Sequence, residues 1–173
     1  GSTNAGLHLP AIANEAGIDF DLDDVVRIFR RTPYIADLMP GGKYTAKDLY
    51  EAGGVPIILK TLLEEGFIDG DCLTVSGKTL AENLKNVVFP SDQKVVYPAN
   101  RPISATGGVV GLKGNLAPDG AIVKIAGLKK LQFSGPARVF ECEEDALAAV
   151  LKRQIKQGEV VVIRYEGPKG GPG

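Results

Sequence analysis

With 173 residues, 44% of them hydrophobic and 24% charged, the chain is long enough to bury a core and is neither a disordered segment nor a peptide. The 20 Lys and Arg offset 21 Asp and Glu to a net charge of −1, which excludes the basic footprint of a nucleic-acid binder. Two cysteines, Cys72 and Cys142, are too few for a disulfide framework and fit a reducing, cytoplasmic setting, and apolar runs such as 55–59 fall far short of the roughly 20 residues needed to cross a bilayer.

Over residues 3–84 apolar side chains recur at helical spacing: Leu7, Ala11, Ile12 and Ala16, then Val25, Val26, Ile28 and Phe29, then Ile57, Ile58, Leu62 and Leu63. Asn4 is the expected cap of a first helix that stops at Gly17, and Asp21 the cap of a second. Thr45 and Asp48 have capping-box spacing with Asp in place of Glu, Pro56 occupies a tolerated first-turn position, and Gly66 closes that helix. Ser76 or Gly77 is expected to open a short helix over 78–85.

Between 89 and 102 the pattern changes to an extended run, Val95-Val96-Tyr97, flanked by Pro90, Pro98 and Pro102, which reads as a linker with a domain boundary near residue 90. Strand-like runs follow at 109–116 and 121–125, separated by the turn signal Pro118-Asp119-Gly120. A strand at 137–141 leads to a helix over 143–157, with Ala146, Leu147, Val150, Leu151 and Ile155 on one face, and Gly158 precedes the apolar strand Val160-Val161-Val162-Ile163. Strand, helix and strand in that order predict a right-handed parallel crossover with a buried final strand. The fold class is therefore α/β: a helical part over 1–90, then a β-rich part with a βαβ crossover over 91–173.

In open α/β sheets ligands collect beyond the carboxyl ends of strands, and residues 164–173 begin at such an end. Glu166, followed by Gly167-Pro168-Lys169-Gly170-Gly171-Pro172-Gly173, is the first choice for a Mg²⁺ ligand, because a carboxylate offers hard oxygen and the glycine-rich turn offers N–H groups to a substrate carboxylate. A solvated glutamate before a tail is the competing reading. Gly77-Lys78-Thr79 fails as a phosphate-binding loop, since Cys72 stands where the required glycine would be. His8 has no metal-ligand neighbour at helical spacing and reads as packed or half-exposed; Cys72 and Cys142 read as small buried apolar groups. Gly107, Gly108, Gly111 and Gly114 either approach an anion closely or serve bends in a strand.

Four motifs occur in order along the chain: Gly1-Ser2-Thr3-Asn4-Ala5 with Leu7-His8-Leu9; Leu73-Thr74-Val75-Ser76-Gly77-Lys78-Thr79-Leu80-Ala81-Glu82-Asn83; Gly111-Leu112-Lys113-Gly114-Asn115-Leu116-Ala117-Pro118-Asp119-Gly120; and Tyr165-Glu166-Gly167-Pro168-Lys169-Gly170-Gly171-Pro172-Gly173. Together they resemble the dihydroxy-acid dehydratase and phosphogluconate dehydratase family, closest to its dihydroxy-acid branch. The resemblance implies a middle-to-late segment of a longer polypeptide. Residues 1–90 would be the helical end of an N-terminal α/β, cluster-binding domain, and 91–173 the first part of a swivelling β-barrel-like domain.

The same resemblance implies a cytoplasmic hydro-lyase of branched-chain amino acid biosynthesis, converting a small 2,3-dihydroxy carboxylic acid to a 2-oxo acid and homodimeric at full length. It implies an iron–sulfur cluster whose ligands lie outside this segment, Mg²⁺ held partly by Glu166, and Lys169 and Gly170 orienting substrate; the catalytic groups lie elsewhere, so the segment alone is expected to be inactive. A sugar-acid or 6-phosphogluconate dehydratase is the nearest alternative. A non-catalytic interaction module, or a carbohydrate- or anion-binding swivelling domain of other descent, is the reading from a different class. Neither nucleic acid nor membrane is an expected partner.

Overall fold

A computed structural model describes residues 2–167 as a mixed α/β chain in two compact units, Gly1–Lys129 and Lys130–Gly173. The first unit carries helices α1 (Thr3–Glu15), α2 (Leu22–Arg31), α3 (Ala46–Glu51), α4 (Gly54–Glu64) and α5 (Leu80–Leu84), then strands β1 (Val109–Gly114) and β2 (Ala117–Lys124). Except at α4, which starts after Gly53 with no side-chain cap, its helix starts follow from short polar side chains that accept the N–H groups a first turn leaves unpaired. Asp21 with Asp24, Thr45 with Asp48, and Thr79 with Glu82 each form a reciprocal capping box. The first helix is capped by Ser2 rather than Asn4, whose own N–H is the donor, and α5 starts at Thr79 rather than at Ser76 or Gly77. Gly17 and Gly66 take positive φ just past α1 and α4, as expected of helix stops.

The core of this unit centres on Ile57 of α4, 1% exposed, with Ile35, Ala52, Val95, Val96 and Ala99 around it. In the Val95-Val96-Tyr97 run, Val95 and Val96 are thus core rather than a free linker, while the Tyr97 side chain is 40% exposed. Asp37 N–H donates to Val95 O at 2.9 Å and Tyr97 N–H to Ile35 O at 2.7 Å, so the run is paired backbone to backbone with residues 34–38. Buried Thr61 ties α4 to the same segment, its Oγ1 accepting Ala99 N–H at 2.8 Å.

Strands β1 and β2 pair antiparallel, from Val109 opposite Lys124 to Gly114 opposite Ala117. The chain reverses at Asn115-Leu116, and the expected turn Pro118-Asp119-Gly120 instead lies within β2, opposite Lys113 alone, where the register shifts. Such a bulge accepts a proline, which has no N–H to give the ladder, and Gly120 there has φ +113°. Helix α2 packs on β1 through glycines. A Cβ on Gly111 would lie 2.3 Å from Val26 Cγ2, and one on Gly107 2.7 Å from Phe29 Cδ1 and 2.9 Å from the Phe29 carbonyl oxygen.

In the second unit β3 (Ala137–Phe140) and β4 (Val160–Ile163) pair parallel, joined through α6 (Glu143–Leu151), as the strand-helix-strand order predicts. The helix is shorter than the expected 143–157. Gln154 N–H donates to Ala149 O and Arg153 N–H to Val150 O, a two-bond C-terminal closure with Arg153 at φ 53°. The usual glycine signal is absent at that position, so periodicity alone overran it. Nor is the final strand buried: Val161 and Ile163 are 41% and 40% exposed, and Val139 of β3 is 49% exposed. Neither sheet has more than two strands, and no closed barrel forms among the described residues.

Two outcomes test this packing. Gly107→Ala meets backbone and should destabilise the unit by about 1–3 kcal/mol, whereas Gly114→Ala, with nothing within 4 Å, should be near neutral in denaturant midpoint. The Thr45 N–H, then the Thr45 hydroxyl, hold the Asp48 carboxyl below its ordinary pKa, opposed by partial desolvation and aided by Lys47. A carboxylate depressed in the folded state contributes stability that is present above its unfolded pKa, about 3.9, and lost as pH falls through the lower folded value. Asp48→Asn should therefore cost stability at neutral pH, with the difference from the parent vanishing in strong acid, read from urea midpoints across pH.

Candidate functional site

The carboxyl end of β4 is where the strand-end argument places a ligand, and its geometry follows from the parallel pairing. Arg164 N–H donates to Phe140 O at 2.9 Å, carrying the ladder one step beyond Ile163. Tyr165 then takes φ 60°, turning the chain back, and this brings Glu166 over the amino end of α6. There Glu166 Oε1 accepts the Glu143 N–H at 2.9 Å. Cys142, the residue before the helix, supplies no side-chain cap bond, so a carboxylate 23 positions beyond Glu143 does so instead.

The surroundings are charged and open. Glu166 is exposed, the first turn of α6 carries Glu143, Glu144 and Asp145, and Arg164 pairs with Glu141 at 2.9 Å while stacking 4.6 Å over the Tyr165 ring. The carboxylates so close to a helix start are favoured by the partial positive charge of the unpaired N–H groups. Cys142 is half-buried. The Asp145 N–H favours its thiolate, but desolvation together with the Asp145 and Glu144 side chains outweighs that and holds the thiol above its ordinary pKa. This is the opposite of what a thiolate metal ligand needs.

Among the described residues no group of three or more His, Cys, Asp or Glu side chains is arranged to hold a metal ion. Glu166 is therefore one carboxylate donor with one oxygen already engaged by the helix, and Mg²⁺, which demands a near-octahedral oxygen set, needs further donors. An iron–sulfur cluster does not fit the cysteines described: Cys72 is exposed in the first unit, and Cys142 belongs to the second. The other proposed substrate contacts, Lys169 and Gly170, lie outside the described residues.

The remaining sequence candidates resolve into structure. Cys72 is exposed and Cys142 half-buried rather than buried, and His8 is exposed rather than packed or half-exposed. At glycines 107, 108 and 111 the space a Cβ would take is filled by Phe29, Ala126 and Val26, so these glycines serve close packing of the strand region. Gly77 at φ 74° closes a tight reversal in which Thr74 Oγ1 donates to Lys78 O and Asn83 Nδ2 to Thr74 Oγ1, so the Gly-Lys-Thr run is a structured turn and Thr79 a helix cap. What the sequence reading missed is the capping role of Glu166; the one signal for it was a helix start at Cys142 without a capping side chain of its own.

The dihydroxy-acid/6-phosphogluconate dehydratase N-terminal family model matches residues 1–83, and the corresponding C-terminal family model matches residues 94–173. The chain is 68% identical over 173 residues to dihydroxy-acid dehydratase 2 of Mesorhizobium japonicum, 69% over 175 residues to dihydroxy-acid dehydratase of Parvibaculum lavamentivorans, and 66% over 173 residues to dihydroxy-acid dehydratase 2 of Bradyrhizobium diazoefficiens. In each case the match takes in 100% of this chain and 30% of the relative.

Capping by Glu166 is tested by substitution. Glu166→Ala should speed amide exchange of the first turn of α6 several-fold, in line with the roughly 1 kcal/mol of a lost cap, while Glu166→Gln, which keeps an acceptor oxygen, should change it little. Equal exchange in the parent and the alanine variant would remove the cap.

Proposed function

The chain belongs to the dihydroxy-acid/6-phosphogluconate dehydratase family and spans about 30% of the length of the curated relatives it matches, and from this we propose that it is part of a hydro-lyase that converts a 2,3-dihydroxy carboxylic acid to a 2-oxo acid. The observation that carries the proposal is identity of 66–69% along all of its 173 residues to proteins named dihydroxy-acid dehydratase. A short branched dihydroxy acid of branched-chain amino acid synthesis is favoured over a sugar acid or 6-phosphogluconate for the same reason. In this reading residues 1–90 complete a cluster-binding domain, and 91–173 start a swivelling barrel-like domain of a cytoplasmic, homodimeric enzyme.

The half-exposed parallel pair of β3 and β4 supports such a setting, because parallel strands are ordinarily covered on both faces. Bound Mg²⁺ and an iron–sulfur cluster would supply Lewis acidity toward the substrate hydroxyls and carboxylate. The part of this chain is narrower. Glu166 presents one carboxylate as a metal donor, its orientation set by the Glu143 N–H bond, and Lys169 with Gly170 orients the substrate carboxylate. The cluster takes its ligands from polypeptide outside this chain.

The test uses the full-length enzyme carrying this chain. 2-Oxo acid release should be fastest from a short branched 2,3-dihydroxy acid, and Glu166→Gln should raise the Mg²⁺ concentration for half-maximal turnover by about tenfold or more while leaving α6 exchange unchanged. Turnover only of gluconate or 6-phosphogluconate would move the substrate to the sugar-acid branch. No 2-oxo acid from any of the three would overturn the dehydratase reading, and an unaltered Mg²⁺ dependence would remove Glu166 from the metal.

A further inference from the structure

A second concavity lies wholly within the first unit, between the turn that follows residue 37 and the run 89–101, with a volume of about 560 Å³. That is within the size range of small-molecule pockets. Its lining combines two kinds of surface. Tyr44, Phe89 and Tyr97 give aromatic walls, and Lys43, Lys94 and Arg101 bring three cations against a single carboxylate, Asp37. Among the described residues none of these three cations forms an ion pair, whereas Lys47, Lys60, Lys113, Arg27 and Arg164 elsewhere do. Asp37 faces its own turn: its Oδ1 accepts the Lys43 N–H, and its carbonyl oxygen accepts the N–H groups of Lys43 and Tyr44.

The frame is rigid for a surface feature. The Gln93 carboxamide accepts the Val95 and Val96 N–H groups at 2.9 and 2.8 Å and donates to Val96 O at 2.7 Å, locking the stretch from which Lys94 projects. Val96 beneath it is 2% exposed and belongs to the core around Ile57, and Pro90 and Pro98 restrict the backbone on either side. An anion entering the concavity would meet three cations that form no ion pair among the described residues.

We propose that this concavity binds a small organic anion whose carboxylate or phosphate meets Lys43, Lys94 and Arg101 and whose unsaturated or apolar body packs against Tyr44, Phe89 and Tyr97. The lining residues all belong to the first unit and do not include Glu166, and the proposal stands whether or not the dehydratase reading does. The cations contribute charge-assisted hydrogen bonds, and the rings contribute apolar contact that a hydrated inorganic ion does not use.

Isothermal titration of the intact protein with phenylpyruvate, benzyl phosphate, inorganic phosphate and the neutral analogue benzyl alcohol tests it. Both organic anions should bind saturably and more tightly than inorganic phosphate, the alcohol should not bind, and added salt should weaken the anions. Arg101→Gln and Lys94→Gln, both exposed and so expected to keep the parent melting temperature, should each weaken binding about tenfold. Preference for phenylpyruvate or for benzyl phosphate identifies which head group the site takes. Absence of saturable binding, equal binding of the alcohol, or affinities unchanged in both variants would overturn the proposal.

Discussion

Residues 34–38 and 95–97 run side by side over Ile57, and the first unit is organised around that contact. The two segments exchange backbone hydrogen bonds above the least exposed side chain of the unit, and Thr61 fastens the far end by accepting the Ala99 N–H. A buried N–H left unpaired costs about 1–3 kcal/mol, so the arrangement both buries apolar surface and removes that penalty. The concavity lined by Lys43, Lys94 and Arg101 exists because the same pairing holds the 37–44 turn beside the 89–101 run.

In the second unit the corresponding constraint is electrostatic. Three acidic residues open α6, Cys142 offers no cap, and Glu166 arrives from beyond β4 to accept the first N–H. A carboxylate has two oxygens, so capping with one leaves the other able to meet a cation. The cap and the proposed metal role act on different readouts: the cap needs an acceptor and a metal would need charge, which is why glutamine separates them.

The glycines illustrate how chemistry and packing are distinguished. Gly107, Gly108, Gly111 and Gly114 lie close together in sequence, a spacing compatible with an anion cradle or with strand packing. Three of them are already filled by Phe29, Ala126 and Val26, and Gly114 faces open space. The partners of the three packed glycines come from α2 and from residue 126, at separations no local pattern reveals.

Features governed by a few consecutive residues were legible without a structure. The helix cap at Asp21, the capping box at Thr45, the helix stops at Gly17 and Gly66, and the parallel strand-helix-strand order depend on local hydrogen bonding and periodicity, and they are where the residues indicate. Tertiary structure decided the rest. It made Val95 and Val96 core instead of linker, turned Pro118-Asp119-Gly120 into a bulge, ended α6 at Leu151, and set Glu166 against Glu143. The core placement and the Glu166 contact depend on partners distant in the chain, the bulge on the register with β1, and the end of α6 on a positive φ at Arg153 that no glycine announces.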